Sequence, residues 1–209
     1  MENILVAGAN GTTGKKIVTL LKSSQYFNPI AMVRKEDQIK QFEDMGVQTV
    51  LGDLEKEVSH TTKGIDKVVF AAGSGGKNVV KVDQEGAKKL MDASKVDGVL
   101  KFVMLSSMGA DHPEKADDLQ DYLKAKHNAD EYLKTSGLNY AIVRPGTLTN
   151  DKGTGTIDLQ KSLNRSGSIS RDDVAQTLVR SLYDDAPHHT TFEILEGNTL
   201  IGKALNNVS

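Results

Sequence analysis

The chain has 209 residues, 38% of them hydrophobic and 26% charged, the make-up of an ordinary globular protein large enough for one full core. A formal net charge of −2 and the absence of cysteine exclude a broad basic surface for nucleic acid, disulfides, thiolate nucleophiles and cysteine-held metals. No apolar run approaches membrane-spanning length, and the N-terminus lacks a basic segment followed by an apolar core. The expectation is a cytoplasmic protein, monomer or homodimer, with a small-molecule partner and no nucleic acid or membrane partner.

Asn3-Ile4-Leu5-Val6-Ala7 reads as a short buried strand that runs directly into Gly8-Ala9-Asn10-Gly11-Thr12-Thr13-Gly14, and Lys15 to Leu21 continues as a helix. The glycine spacing is G-x-x-G-x-x-G, not the strict G-x-G-x-x-G of dinucleotide sites, and by itself it fits any glycine-rich turn. Its context decides the reading. A strand, a tight turn and a helix N-terminus present free amides to a pyrophosphate, and glycines keep side chains out of its way. Gly8, Asn10, Gly11, Thr12, Thr13 and Gly14 are therefore candidate cofactor-binding residues.

Short apolar strands then alternate with amphipathic helices. Strands are predicted at Asn28 to Val33, Val47 to Leu51, Lys67 to Ala72, Leu100 to Leu105, Asn139 to Val143 and Thr191 to Leu195. Helices are predicted at Glu36 to Met45, ended by Gly46, and at Val79 to Val96, Asp117 to Thr135 and Asp172 to Tyr183. This rhythm implies an α/β fold, a doubly wound parallel sheet flanked by helices, in a single domain over residues 1–209. A small substrate-side region is expected at about 146–170 and 190–209. Asn150 to Gly167, rich in Gly, Thr and Ser, reads as a loop or lid.

Ligands of such sheets lie at the carboxyl ends of the strands. Arg34 and Lys35 follow the second strand, where NAD sites place a carboxylate, and a basic pair suits the 2′-phosphate of NADP. They also fit a solvated pair beside Glu36 and Asp37. Asp53 and Leu54 follow the third strand and suit an adenine, although Asp53 also fits a helix cap. Ala71, Ala72 and Gly73 end the fourth strand and let a cofactor pass close to the backbone. Ser106 and Ser107 end the fifth and would lie near the nicotinamide, or serve a turn.

The next helix carries Tyr122-Leu123-Lys124-Ala125-Lys126, with Tyr122 and Lys126 on one face. Leu119, Tyr122, Leu123, Lys126, Ala129 and Leu133 form one stripe, so Lys126 falls in an apolar face. A buried lysine needs a partner. Asp130, four residues on, is one; snorkelling is another solution. In the functional alternative, Lys126 helps the Tyr122 hydroxyl act as an acid near neutral pH and anchors a ribose hydroxyl. Tyr122 also fits a packing role.

These residues, with Arg144-Pro145-Gly146 and Ile169-Ser170-Arg171-Asp172-Asp173-Val174-Ala175, resemble the short-chain dehydrogenase/reductase superfamily, and within it the atypical, NmrA-like, NAD(P)-binding branch. The resemblance implies a Rossmann-type fold and catalytic roles for Tyr122, Lys126 and Ser106 or Ser107. Tyr122 would protonate the substrate oxygen, Lys126 would hold the nicotinamide ribose, and one of the two serines would bind the substrate carbonyl. Pro145 and Gly146 would flank the nicotinamide.

The function expected is NADPH-dependent reduction of a small carbonyl, quinone or flavin-like acceptor, with NADP(H) preferred over NAD(H). A non-catalytic NADP sensor is one alternative. A nucleotide-sugar epimerase or dehydratase is another, disfavoured by the short C-terminal portion. No metal site is expected. His112 reads as a loop residue near the substrate edge, His188-His189 as a surface loop, and Arg171-Asp172-Asp173 as a helix start.

Overall fold

A computed structural model describes residues 1–116 and 118–208. Asp117, where the sequence pattern starts the helix of Tyr122, lies outside the described residues. The first half follows the predicted rhythm: β1 (Glu2–Ala7), α1 (Thr12–Lys22), β2 (Phe27–Val33), α2 (Ile39–Glu43), β3 (Gln48–Leu51), β4 (Lys67–Phe70), α3 (Ala87–Val96) and β5 (Lys101–Leu105). The second half comprises α4 (Gln120–Thr135), β6 (Tyr140–Pro145), β7 (Thr147–Thr149), β8 (Thr156–Gln160), β9 (Ser168–Ser170), α5 (Arg171–Arg180), β10 (Thr190–Glu196), β11 (Thr199–Leu200) and α6 (Ile201–Asn206).

Nine strands form one sheet in the order β11-β8-β10-β6-β5-β4-β1-β2-β3. From β3 to β10 neighbouring strands are parallel, and β8 and β11 close the far edge antiparallel. Burial on both faces explains the near-continuous apolar runs of the central strands. Ile4 and Val6 of β1 face α1 and α5, against Ile17, Leu21, Val174 and Leu178. Leu5 and Ala7 face α3 and α4, in the core of Leu90, Met91, Ala129 and Leu133. The strand order reverses at β1, between β2 and β4, and a crevice opens there at the carboxyl ends.

Three expectations are corrected. Asn150 to Gly167 is not all loop, because Thr156–Gln160 pairs with β10 through buried Ile157 and Leu159. The helix predicted over Glu36 to Met45 is a 3-10 turn at Glu36–Gln38 followed by the short α2, and Gly46 ends it at φ +68°. The long helix predicted from Val79 begins as a π-helix, Val79–Gly86, before α3. Gly86 is needed at that join, since a Cβ there would stand 2.7 Å from Leu54 Cβ.

Candidate active site

The crevice is a cleft of about 810 Å³ running from the β1–α1 turn to α4, a size typical of small-molecule sites. At one end Gly8, Asn10, Gly11, Thr12 and Thr13 line it. Gly8 adopts φ +87°, and a Cβ on it would stand 2.6 Å from the backbone of Ala72. Gly14 does not line the cleft. It lets α1 close on the turn, as its Cβ would meet Gly8 O at 2.0 Å. Gly11 precedes α1, no side chain caps that end, and no acidic residue lies in the first turn. The amides there are left for an anion, so the residues present fit a pyrophosphate.

Arg34 is exposed on the cleft wall, and Gln38 Oε1 accepts hydrogen bonds from the amides of Arg34 and Lys35. Asp53 and buried Leu54 line the same end, and Asp53 Oδ1 accepts from the Glu55 amide in a turn; no helix starts there, so Asp53 is not the helix cap of the alternative reading. Ala71, Ala72 and Gly73 line the middle.

At the far end Leu105, Ser106, Tyr122 and Lys126 line the cleft. Tyr122 is half-buried, and Lys126 Nζ lies 5.7 Å from its ring centroid. Lys126 is buried, as the stripe predicted, whereas Leu119, at 60% exposure, stands at the cleft instead of in the core. Leu148 and Arg171 complete this wall from the β7–β9 side, and among the described residues none of 190–208 contributes to the lining.

The model of the NAD(P)H-binding family matches residues 8–185. The chain belongs to the NAD(P)H-binding family. It is 40% identical over 213 residues to the uncharacterized sugar epimerase YhfK of Bacillus subtilis, covering 98% of this chain and 99% of that protein. A solved protein of Bacillus halodurans, whose name places it with NAD-dependent epimerases/dehydratases, superposes with a TM-score of 0.93 at 36% identity over 100% of both chains. The oxidoreductase YlbE of Lactococcus lactis superposes with a TM-score of 0.88 at 34% identity, covering 97% of this chain and 94% of that one.

Several polar contacts of this NAD(P)H-binding chain differ from the sequence reading. Lys126 does not pair with Asp130. Its Nζ stands 3.4 Å from Asp83 Oδ1 and donates to Leu105 O at 3.2 Å. Asp83 is 1% exposed, lines the cleft from the π-helix, and accepts from the Ser74 amide through Oδ2. Sequence reasoning missed it, since a lone Asp in a helical pattern carries no signal; π-helical turns do gather at functional sites.

Asp130, fully buried, instead receives Ser106 Oγ at 2.8 Å and Arg144 Nε at 3.0 Å on Oδ2. Burial pushes the Asp130 carboxyl up, against the opposing charge of Arg144 and the hydrogen bonds from Ser106 and Arg144. Ser106 is thus the serine that faces the cleft. Ser107 is absent from its lining and donates to Met108 O.

Pro145 and Gly146 do not line the cleft either. Pro145 ends buried β6, and a Cβ on Gly146 would meet Leu195 and Gly167. His112 sits on an exposed loop against Glu114, and His188 bonds Asn139 and the Asp184 carbonyl. Among the described residues no group of three or more His, Cys, Asp or Glu could hold a metal. No described helix is long and apolar enough to cross a membrane.

Proposed function

We propose that the protein is an NADPH-dependent oxidoreductase that reduces a small carbonyl, quinone or flavin-like acceptor. The observation that carries this reading is Tyr122, half-buried in the wall of the cleft with the Lys126 ammonium 5.7 Å from its ring centroid. A bound reduced nicotinamide supplies a hydride. Tyr122 donates the proton that the substrate oxygen takes up, and the charge of Lys126 favours the phenolate left behind. Gly8, Gly11, Thr12 and Thr13 hold the pyrophosphate, and Lys126 anchors the ribose.

Arg34 supports the choice of NADP. It is exposed on the cleft wall beyond β2, where its guanidinium can fork onto a 2′-phosphate. Titration should show tighter binding of NADPH than of NADH, and Arg34→Ala should cost NADPH about tenfold, a typical charge-assisted hydrogen bond, while leaving NADH unchanged. Equal affinities in the wild type discard the preference.

Tyr122→Phe is the test of the chemistry. It should leave NADPH binding intact and abolish NADPH oxidation across a panel of carbonyl, quinone and flavin acceptors. A wild-type protein that binds NADPH and oxidises it with none of them is a sensor.

The names of YhfK and of the Bacillus halodurans protein favour a second reading, an epimerase acting on a nucleotide sugar with no net change in its cofactor. Among the described residues none of 190–208 lines the cleft, which weighs against it, because that leaves little protein to grip a sugar nucleotide. Net consumption of NADPH separates the two.

A further inference from the structure

A serine hydroxyl owns one proton and two lone pairs. Ser106 Oγ gives its proton to Asp130 Oδ2 at 2.8 Å. That oxygen also takes Arg144 Nε at 3.0 Å and stands 2.9 Å from Arg144 Nη2. The Ser106 hydroxyl and Arg144 Nε take its two lone pairs, and the guanidinium charge alongside disfavours a proton on that oxygen, so the shared proton belongs to Ser106. The arrangement is closed to solvent: Asp130 is fully buried, and Ser106 and Arg144 are 3% and 5% exposed. Among the described residues nothing donates to Ser106 Oγ, yet Ser106 lines the cleft beside Tyr122 and Lys126. What it offers a ligand is therefore lone pairs alone.

We propose that Ser106 is held by Asp130 and Arg144 as a hydrogen-bond acceptor toward the cleft, and that the molecule lying against it presents an N–H or O–H donor there, not a bare carbonyl. This reverses the role that the family resemblance assigns to the serine. The inference rests on the reading of the cleft as a site for cofactor and substrate together. Tyr122 is then left as the donor toward the reducible oxygen, and Ser106 selects a substrate or cofactor group that carries a hydrogen. The donor has two sources, the carboxamide NH₂ of the nicotinamide or a second ligand.

Two matched pairs distinguish them. NADP is titrated against its acetylpyridine analogue, which lacks the amide hydrogens. Isatin is titrated against N-methylisatin on protein saturated with NADP. In one pair the donor-bearing member should bind about tenfold tighter to the wild type, the worth of one hydrogen bond in a buried site. That ratio should fall below about twofold in Ser106→Ala and persist in Ser106→Thr, which keeps the hydroxyl.

Ratios near one in both pairs, or a ratio that survives Ser106→Ala, overturn the proposal. A protein that binds no NADP overturns the cofactor reading itself, an outcome visible in the first titration. Neutron diffraction of the wild type reads the polarity without any variant. A deuterium on Ser106 Oγ directed at Asp130 supports the assignment, and one directed into the cleft refutes it.

Discussion

The ammonium of Lys126 stands 3.4 Å from Asp83 Oδ1, while Asp130, one turn along the same helix, holds Arg144 with 2.9 Å between Nη2 and Oδ2. Two buried cations beside one cleft are thus answered by two buried carboxylates from different elements. Asp83 comes from the π-helix and reaches across to α4. It fixes the place of Lys126 relative to Tyr122 before any ligand arrives.

Removing Asp83 leaves a 3%-exposed lysine without its counter-charge. Breaking one side of a buried pair costs about 3 kcal/mol or more, whereas replacing both sides with apolar groups is close to neutral. Asp83→Ala should therefore lose about 3 kcal/mol in urea denaturation, and the double variant Asp83→Ala/Lys126→Met should recover most of it. Strict additivity of the two single changes would show that the pair is not coupled.

Gly14 touches no part of the cleft surface, yet the cleft depends on it. A Cβ there would lie 2.0 Å from Gly8 O, so α1 must back away from the β1 turn. Gly8 faces both obstacles, a φ of +87° and the Ala72 backbone at 2.6 Å. Gly64 is the control, with φ +72° and nothing within 4 Å. Alanine at Gly64 should cost about 1 kcal/mol, the strain of a left-handed backbone. Alanine at Gly8 or Gly14 should cost more and weaken NADPH binding, as read by thermal melts and cofactor titration. If Gly14→Ala bound NADPH normally, the packing argument would fail.

What the sequence revealed follows from which signals are local. β1, its turn and α1 were legible because an apolar run buried on both faces, a glycine turn and a helix N-terminus follow one another without a gap. β8 was not, although Ile157 and Leu159 alternate with polar residues as a strand requires. Three residues in its flanks are glycine, and the short alternation was lost among them. Lys126 was rightly placed in a buried stripe, because helical periodicity alone decides that. Its partner was missed because proximity along α4 favoured Asp130, while Asp83 arrives through the tertiary fold. The acceptor polarity of Ser106 was likewise beyond reach, since it depends on Arg144 and Asp130 meeting beneath the strand ends.

At the opposite end of the sheet, Lys67 and Lys101 open β4 and β5 side by side in register, both nearly fully buried. Burial works to lower Lys67, but its hydrogen bonds to Asp184 and Glu2, and their charges, outweigh this and raise it. Among the described residues Lys101 Nζ has only the carbonyls of Tyr183 and Ala186, at 3.4 and 3.3 Å. Burial, followed by the positive charge of Lys67, lowers Lys101 from its ordinary 10.5 to about 8.

The sign follows from proton counting. Between about pH 8 and 10.5 the unfolded chain holds the Lys101 proton and the folded chain does not, so this residue makes stability rise with pH across that window. Below it the full penalty is present, at most about 3 kcal/mol by the usual conversion of a pKa difference. Lys101→Met should accordingly be more stable than the wild type at about pH 7, by up to about 3 kcal/mol. Its advantage should shrink as denaturation is repeated toward about pH 10. An advantage that stays constant with pH would mean that Lys101 titrates in the folded protein as it does in the unfolded chain.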